Sequence, residues 1–409
     1  MARMSGRLPF IALLTATGFS LAGTALTTVA LPWFVLETTG SAGRAGLVGA
    51  SAMLPLFILG IAGGTLVDRV GFKQISVLAD LVSGCAVAAI PLLYHGTGLA
   101  FWQLLVLVFV ANALNVPALS ARRSMLPELA AMANVRLERA NTAYEANAQI
   151  AYLVGPPVAG VLIATMGASN VLWVDATTFA FSALVTLVAV PAVVTSASAL
   201  HGTYFQGVKE GLRFLRRDQV LFALAISLFV TNFLGNPLFA VVLPVYAKEE
   251  LNSSGALGLL LSVVGIGALL GTMAFGWRLY RWRRRTVWLL AFVTAPLAYW
   301  SLVPKPALIV VAIVLFVSEL AGGASNPLAV TIRHERIPAE LRGRVFSTFS
   351  SISMAAAPLG IALAGFSIEH LGFTPTVLGL ALVYQVVALG MIVVPAFHEL
   401  DHTRSRTSS

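Results

Sequence analysis

Long stretches of this chain are apolar on every helical face, and short charged turns separate them. The first uninterrupted run covers residues 8–36. Later runs fall near 42–66, 74–94, 99–119, 144–165, 169–194, 219–246, 255–277, 286–303, 306–328, 345–367 and 373–397. At 1.5 Å per residue, about 20 residues cross the roughly 30 Å of bilayer hydrocarbon. The pattern predicts an all-α integral membrane protein with twelve transmembrane helices. Arg3 and Arg7 ahead of the first run imitate a signal peptide, but the run is too long and further spans follow it.

The polar interruptions carry the organisation. The longest, 195–218, divides the chain into an N-terminal six-helix bundle, 1–194, and a C-terminal one, 219–397, followed by a tail, 398–409. Within the linker, Val208, Leu212 and Leu215 share one helical face, and Lys209, Arg213 and Arg216 another. Such a segment is either an amphipathic helix on the cytoplasmic leaflet or a solvated linker with some helix. Of the 26 Lys and Arg, all but Arg44, Lys248 and Lys305 fall on one side of this layout. Cytoplasmic loops hold the excess of basic residues, so both termini are expected in the cytoplasm. The halves also echo each other. Arg123 to Pro127 follows the fourth run as Glu335 to Pro338 follows the tenth, and Pro156 and Pro358 sit at matching depth in the fifth and eleventh. Matching interruptions in corresponding spans indicate an internal structural repeat.

Composition narrows the function. The chain is 58% hydrophobic and 11% charged, against about a quarter charged in a soluble domain. The net charge of +9 lies in scattered turns, not in a patch beside stacking aromatics, which argues against nucleic acid and for anionic membrane lipids. The single Cys85 lies in an apolar run, which excludes an intrachain disulfide; no metal site and no cofactor are expected. None of the four Lys follows a Gly, so there is no phosphate-binding Gly-Lys-Ser/Thr loop for an ATP-driven pump. All six His fall in loops, span ends or the tail, which argues against a buried Ser–His dyad and an enzyme. Nor is there a repeated filter loop of the kind an ion channel needs.

Few groups can titrate inside the membrane. Glu37, Asp68 and Glu369 stand at run ends, and Glu145 and Asp175 within a turn or two of one. Glu319 is midway along the tenth run, and Asp80 lies two turns inside the third. A charge at the bilayer centre costs roughly 2.5–3.5 kcal/mol, tolerable if the group is paired, faces a wet cavity or is protonated. Glu319 and Asp80 are therefore the candidates for proton coupling; the alternatives are a Glu319 held by neighbouring Ser and Asn groups, and an Asp80 anchoring helix contacts near Lys73. Ser20, Thr24 and Thr28 in the first run, Asn112 and Asn115 in the fourth, Asn232 and Asn236 in the seventh and Asn326 in the tenth repeat at helical spacing. They either line a cavity or join helices by hydrogen bonds. Trp33, Phe34, Phe19 and Phe239 nearby suit a lipophilic or weakly cationic small molecule. Gly265, Gly267 and Gly271 are at close-packing spacing.

Between the second and third runs stand Gly64, Asp68, Arg69, Gly71 and Lys73. They resemble the loop between helices 2 and 3 of the major facilitator superfamily, Gly-x-x-x-Asp-Arg-x-Gly-Arg-Arg/Lys, with Phe72 in place of the usual Arg. Gly155, Pro156 and Gly160 resemble the motif of its drug–proton antiporters. The segments 123–129 and 341–345 look most like the twelve-helix branch of macrolide exporters and Tap-like multidrug efflux pumps. The resemblance implies a major facilitator fold, alternating access, and a multi-pass transporter in the bacterial plasma membrane that exports drugs in exchange for protons as a monomer. It assigns the kink at Pro156 to sealing the path; the turn 64–73 is read as a conformational switch with Asp68 as a latch, the alternative being a topological anchor held by Arg69 and Lys73. Two features depart from the pattern. The fourth run has Asn112 to Pro117 where antiporters often carry an Arg, and Gly23 and Thr24 stand where this branch can carry an acid. An importer of an uncharged nutrient, or a non-transporting receptor on the same scaffold, is the alternative.

Overall fold

The computed structural model describes residues 6–58, 70–192, 204–338 and 341–401. They are helical nearly throughout, and ten helices among them are long and apolar enough to cross a membrane. The chain forms two compact units: Met1–Ala199 with Ala247–Ser262, and Leu200–Tyr246 with Val263–Ser409. The segment Ala247–Ser262 thus packs with the first unit although it follows the linker. Gly64, Asp68 and Arg69 lie outside the described residues.

The first unit contains α1 (Leu8–Thr39), α2 (Ala42–Ile58), α3 (Phe72–His95), α4 (Phe101–Ala113), α5 (Asn115–Met132), α6 (Leu137–Met166) and α7 (Ala168–Ala189). Pro9 opens α1, where a missing N–H removes no helical bond. Gly40 closes it in the left-handed region (φ 65°), its N–H returning 3.0 Å to the Leu36 carbonyl. The fourth run, expected to end at 119, continues through α5 to Met132. That extension takes Arg122, expected in a cytoplasmic turn, into the interior, where it is 2% exposed. The reason is its partner: Nη2 lies 2.5 Å from Asp80 Oδ2, while Nε donates to Ser76 Oγ at 2.9 Å. Ser20 and Ser182 donate to the two Asp80 oxygens at 3.0 and 2.6 Å. Two charges and three hydroxyls thus satisfy one another, which is what burial of an ion pair requires.

The second unit begins with α8 (Tyr204–Arg217) and α9 (Gln219–Pro237), then a π-helical turn, Leu238–Val242, and α10 (Leu243–Glu249). There follow α11 (Ser254–Trp277), whose first third packs with the first unit, α12 (Arg284–Leu302), α13 (Leu308–Gly322), α14 (Ser325–Arg336), α15 (Arg342–Leu371) and α16 (Phe373–Val393). The linker helix α8 turns Leu215 into the core of this unit, so protein covers that part of its apolar face, while Arg213, Arg216 and Arg217 stay exposed. Ion pairs bring several helix ends to one side: Asp218, capping α9, meets Arg336 at 3.2 Å; Arg284 grips Glu335 at 2.5 and 2.8 Å; and Glu210 meets Arg344.

The repeat read from the prolines also appears in the turns. Single glycines, Gly167 and Gly372, join α6 to α7 and α15 to α16 at φ 83° and 89°, a conformation that side chains rarely adopt. Arg122 has a counterpart as well. Arg333, near the end of α14, is buried, its guanidinium 4.9 and 4.5 Å from the ring centroids of Phe346 and Phe349. One half satisfies its interior arginine with a carboxylate, the other with two aromatic faces.

Substituting Arg122→Met should strand the Asp80 charge and destabilise the protein by about 3–5 kcal/mol. A thermal melt of purified protein should show a large fall, and adding Asp80→Asn should recover most of it; a double variant no better than the single one would refute the pairing.

Candidate functional site

A cavity of about 380 Å³ opens inside the second unit, walled by α9, its π-helical turn, α11, α12, α13, α14 and α16. Its position follows from local irregularity. Pro237 ends the regular part of α9 because it lacks an N–H and crowds the preceding turn. The chain recovers through the π-helical turn, whose wider winding places Leu238 and Phe239 at the cavity wall. The Leu234 carbonyl, one turn before, receives the hydroxyl of Tyr299 from α12. That bond ties the irregular turn to its neighbour and fills an acceptor that water cannot reach.

Four of the residues singled out in the sequence meet here: Glu319, by its depth, and Asn232, Asn236 and Asn326, by their spacing. Asn232 donates to the Leu228 carbonyl at 3.0 Å, and Asn236 to the Asn232 carbonyl and side-chain oxygens at 3.0 Å each. The two amides form a ladder along α9 that keeps polar surface on the cavity side. Glu319 is held by the packing behind it. A Cβ on Gly267 would fall 2.8 Å from the Phe316 carbonyl and 3.0 Å from Glu319 Cβ, so only glycine lets α13 sit this close to α11. Thr272 strengthens the same seam, its hydroxyl 3.0 Å from the Ala268 carbonyl and 2.9 Å from that of Gly323. The packing expectation for Gly267 and Gly271 holds: both face α13. Among the described residues, no Lys, Arg or His lines the cavity. A lone carboxyl, three amides and the rings of Phe239, Phe292, Tyr299 and Tyr384 can hold a lipophilic amine, or a proton in its place.

The first-half candidates are arranged differently. Ser20 is committed to Asp80, and Asp80 to Arg122. Thr24 and Thr28 return their hydroxyls to the carbonyls of Ser20 and Thr24, both at 2.9 Å. Asn112 donates to the Val108 carbonyl at 2.8 Å and accepts from Asn115 at 3.0 Å, across the break between α4 and α5. Beside Gly23, where the sequence shows no acid on α1, the Asp175 carboxyl of α7 occupies the space. Gly155 lets α6 approach Ala25 of α1, and the Gly160 carbonyl accepts from Ser254 at 3.0 Å. Pro156 lies buried between them, inside α6. Of the turn, Gly71 has φ 95° and Lys73 donates to the Leu187 carbonyl at 2.7 Å.

Sequence reasoning passed over Arg122, Thr231, Tyr299 and Tyr384. Only Arg122 had a detectable signal, a charge continuing the helical phase of the fourth run; hydroxyls and tyrosines are too ordinary in apolar helices to stand out.

Residues 7–408 match the profile of a family described as transmembrane secretion effector. The multidrug efflux pump Tap of Mycobacterium tuberculosis is 36% identical over 408 residues, 98% of this chain and 96% of its own length. The macrolide efflux protein A of Streptococcus pyogenes is 24% identical over 378 residues, 90% of this chain and 91% of its own. Among solved structures, the nucleoside transporter NupG superposes with a TM-score of 0.75 at 13% identity, covering 94% of this chain and 99% of its own. A D-xylose–proton symporter does so at 0.69 and 16%, covering 95% and 98%. At these identities the structures establish the fold alone.

Removing the hydroxyl with Tyr299→Phe should leave the Leu234 carbonyl unsatisfied and cost about 1–3 kcal/mol. A lower melting temperature for the variant is the expected result; an unchanged one would show that the bond does not hold the π-helical turn.

Proposed function

This chain belongs to the major facilitator superfamily, in its family of transmembrane secretion effectors, and we propose that it exports lipophilic or weakly cationic drugs, such as macrolides or tetracyclines, by proton antiport. It is a multi-pass membrane transporter and not an enzyme. In this reading α2 and α12 join the ten long apolar helices to make twelve spans, with both termini in the cytoplasm and the 195–218 linker joining six-helix halves.

The observation that carries the proposal is the mid-span carboxyl of Glu319 in a cavity with amides and aromatic rings and no base. An ionised Glu319 at this depth costs roughly 2.5–3.5 kcal/mol, which either a proton or a bound cation removes. Export follows from that exclusivity. Drug enters from the cytoplasmic side, a proton arriving from outside takes its place, and the change of access carries each one way. One proton crossing about 100 mV supplies roughly 2.3 kcal/mol, enough for about a fifty-fold gradient of an uncharged drug, whereas one-for-one exchange with a singly charged cation is driven by the pH difference alone. Asn232, Asn236 and Asn326 orient the drug; Thr24, Thr28, Asn112 and Asn115 are the first half's contribution to the path. Ser20 and Asp80 are assigned to the Arg122 network, which leaves Glu319 as the coupling residue. The turn with Gly64, Asp68, Arg69, Gly71 and Lys73 gates the cytoplasmic side, and the kink in α6 at Gly155, Pro156 and Gly160 seals the path in one state. The working unit is a monomer.

In proteoliposomes loaded with a lipophilic cationic dye, acidifying the medium outside the protein's extracytoplasmic face should drive dye out across that face as protons enter. Symport would move dye and proton the same way and would overturn the assignment of direction. In cells, Glu319→Gln at wild-type membrane levels should abolish energised efflux of dye and macrolide; undiminished efflux with the same pH dependence would remove Glu319 from the mechanism.

A further inference from the structure

A second carboxyl is buried in the first unit, and the transport cycle above makes no use of it. Asp175, two turns into α7, is 1% exposed. Its Oδ2 accepts the hydroxyl of Thr27 from α1. The Thr178 hydroxyl lies 3.3 Å from Oδ1 but only 2.7 Å from the Asp175 backbone carbonyl, which is the better acceptor for its hydrogen. Thr178 Oγ1 is then free to accept. A neutral carboxylic acid, one O–H donor and one carbonyl acceptor, matches this arrangement group for group. Among the described residues, a carboxylate would have one firm donor and no cation.

The opposite helix is shaped around the acid. A Cβ on Gly23 of α1 would run into the oxygens of Asp175 and Thr178, so glycine is what allows α1 and α7 to close on the carboxyl. Asp80 shows what a charged site looks like in the same unit: it is equally buried, but Arg122 and two serine hydroxyls surround it. Among the described residues, the charged groups of the helices around Asp175 are paired or exposed elsewhere. On α3, Asp80 meets α7 at Ser182, Lys73 reaches Leu187 and His95 reaches Ser169. On α6, Glu145 pairs with Arg123 and Glu138 with Arg136. On α1, Glu37 is exposed near the helix end, three turns from Thr27.

We propose that Asp175 is a proton-binding site of the first unit whose proton holds α1 against α7. With the proton on Oδ1, the carboxyl is neutral and both of its oxygens have a partner, Thr178 for one and Thr27 for the other. Releasing it breaks the Oδ1–H bond; the proton passes to water admitted at the seam, and the carboxylate left behind demands hydration that the closed seam excludes. Helix α1 then loosens from α7 around Gly23, and reprotonation closes it.

The test uses the full-length protein in lipid nanodiscs and needs no transported substrate, so its outcome is independent of whether the cavity exports drugs. In a Glu319→Gln background, which removes the cavity carboxyl, infrared spectra at neutral pH should retain a protonated-carboxyl C=O band that disappears on alkalinisation. Adding Asp175→Asn should delete it. Hydrogen exchange of the α1 segment 20–30 should rise several-fold on alkalinisation in Glu319→Gln and stay flat when Asp175→Asn is added. The absence of a protonated-carboxyl band in Glu319→Gln at neutral pH would overturn the proposal, even if the Asp175→Asn protein fails to fold. Exchange in α1 that ignores pH in the Glu319→Gln protein would also overturn it.

Discussion

Hydrocarbon offers no hydrogen bonds, and that one constraint accounts for most of what is unusual in this chain. Every polar group in a span must find its partner within the protein. Arg122 and Asp80 meet this demand with three serines around them, at a depth where either charge alone would be untenable. Helical prolines create the same demand in the backbone. Pro237 removes a donor from α9, and the structure responds with a π-helical turn and a tyrosine hydroxyl brought across from α12.

The two halves answer the constraint with related scaffolds and different interiors. Both turn on a single positive-φ glycine after a helix with proline inside it, and both bury an arginine near the end of an earlier helix. In the first half that arginine has a carboxylate; in the second it rests on two phenylalanine rings. Among the described residues, the second half has no acid paired with its arginine and instead has an acid, Glu319, with no base beside it in the cavity. A scaffold repeated in sequence thus carries chemistry that is not repeated.

Much of the cavity was legible before any coordinates. Glu319, Asn232, Asn236 and Asn326 are conspicuous because an acid or amide in an otherwise apolar helix is rare and has to be accounted for. Ser20 shows the limit. It carries the same signature as the cavity residues, yet its hydroxyl is spent on Asp80, 60 residues away in sequence. Arg122 and Asp80 are 42 residues apart, and nothing in either local segment announces the other. Asp175 shows the same limit: hydropathy placed it within a turn or two of a run end, where the structure also has it, but only the packing of α1 at Gly23 and Thr27 makes it one of the most enclosed carboxyls in its unit.

By itself the sequence determined the all-α membrane class, the order and approximate limits of the apolar runs, the repeat, and which rare polar residues needed an explanation. These are properties of composition read along the chain, and length against bilayer thickness converts them into spans. The tertiary structure alone decided which of those residues face a cavity, which face each other and which glycines admit a neighbouring helix. Each residue turns about 100° around its helix, so position along the chain fixes depth well and facing direction poorly. Facing direction is set by the packing of helices far apart in sequence, and it is what separates Asp80, held by an arginine, from Glu319 and Asp175, which have none among the described residues.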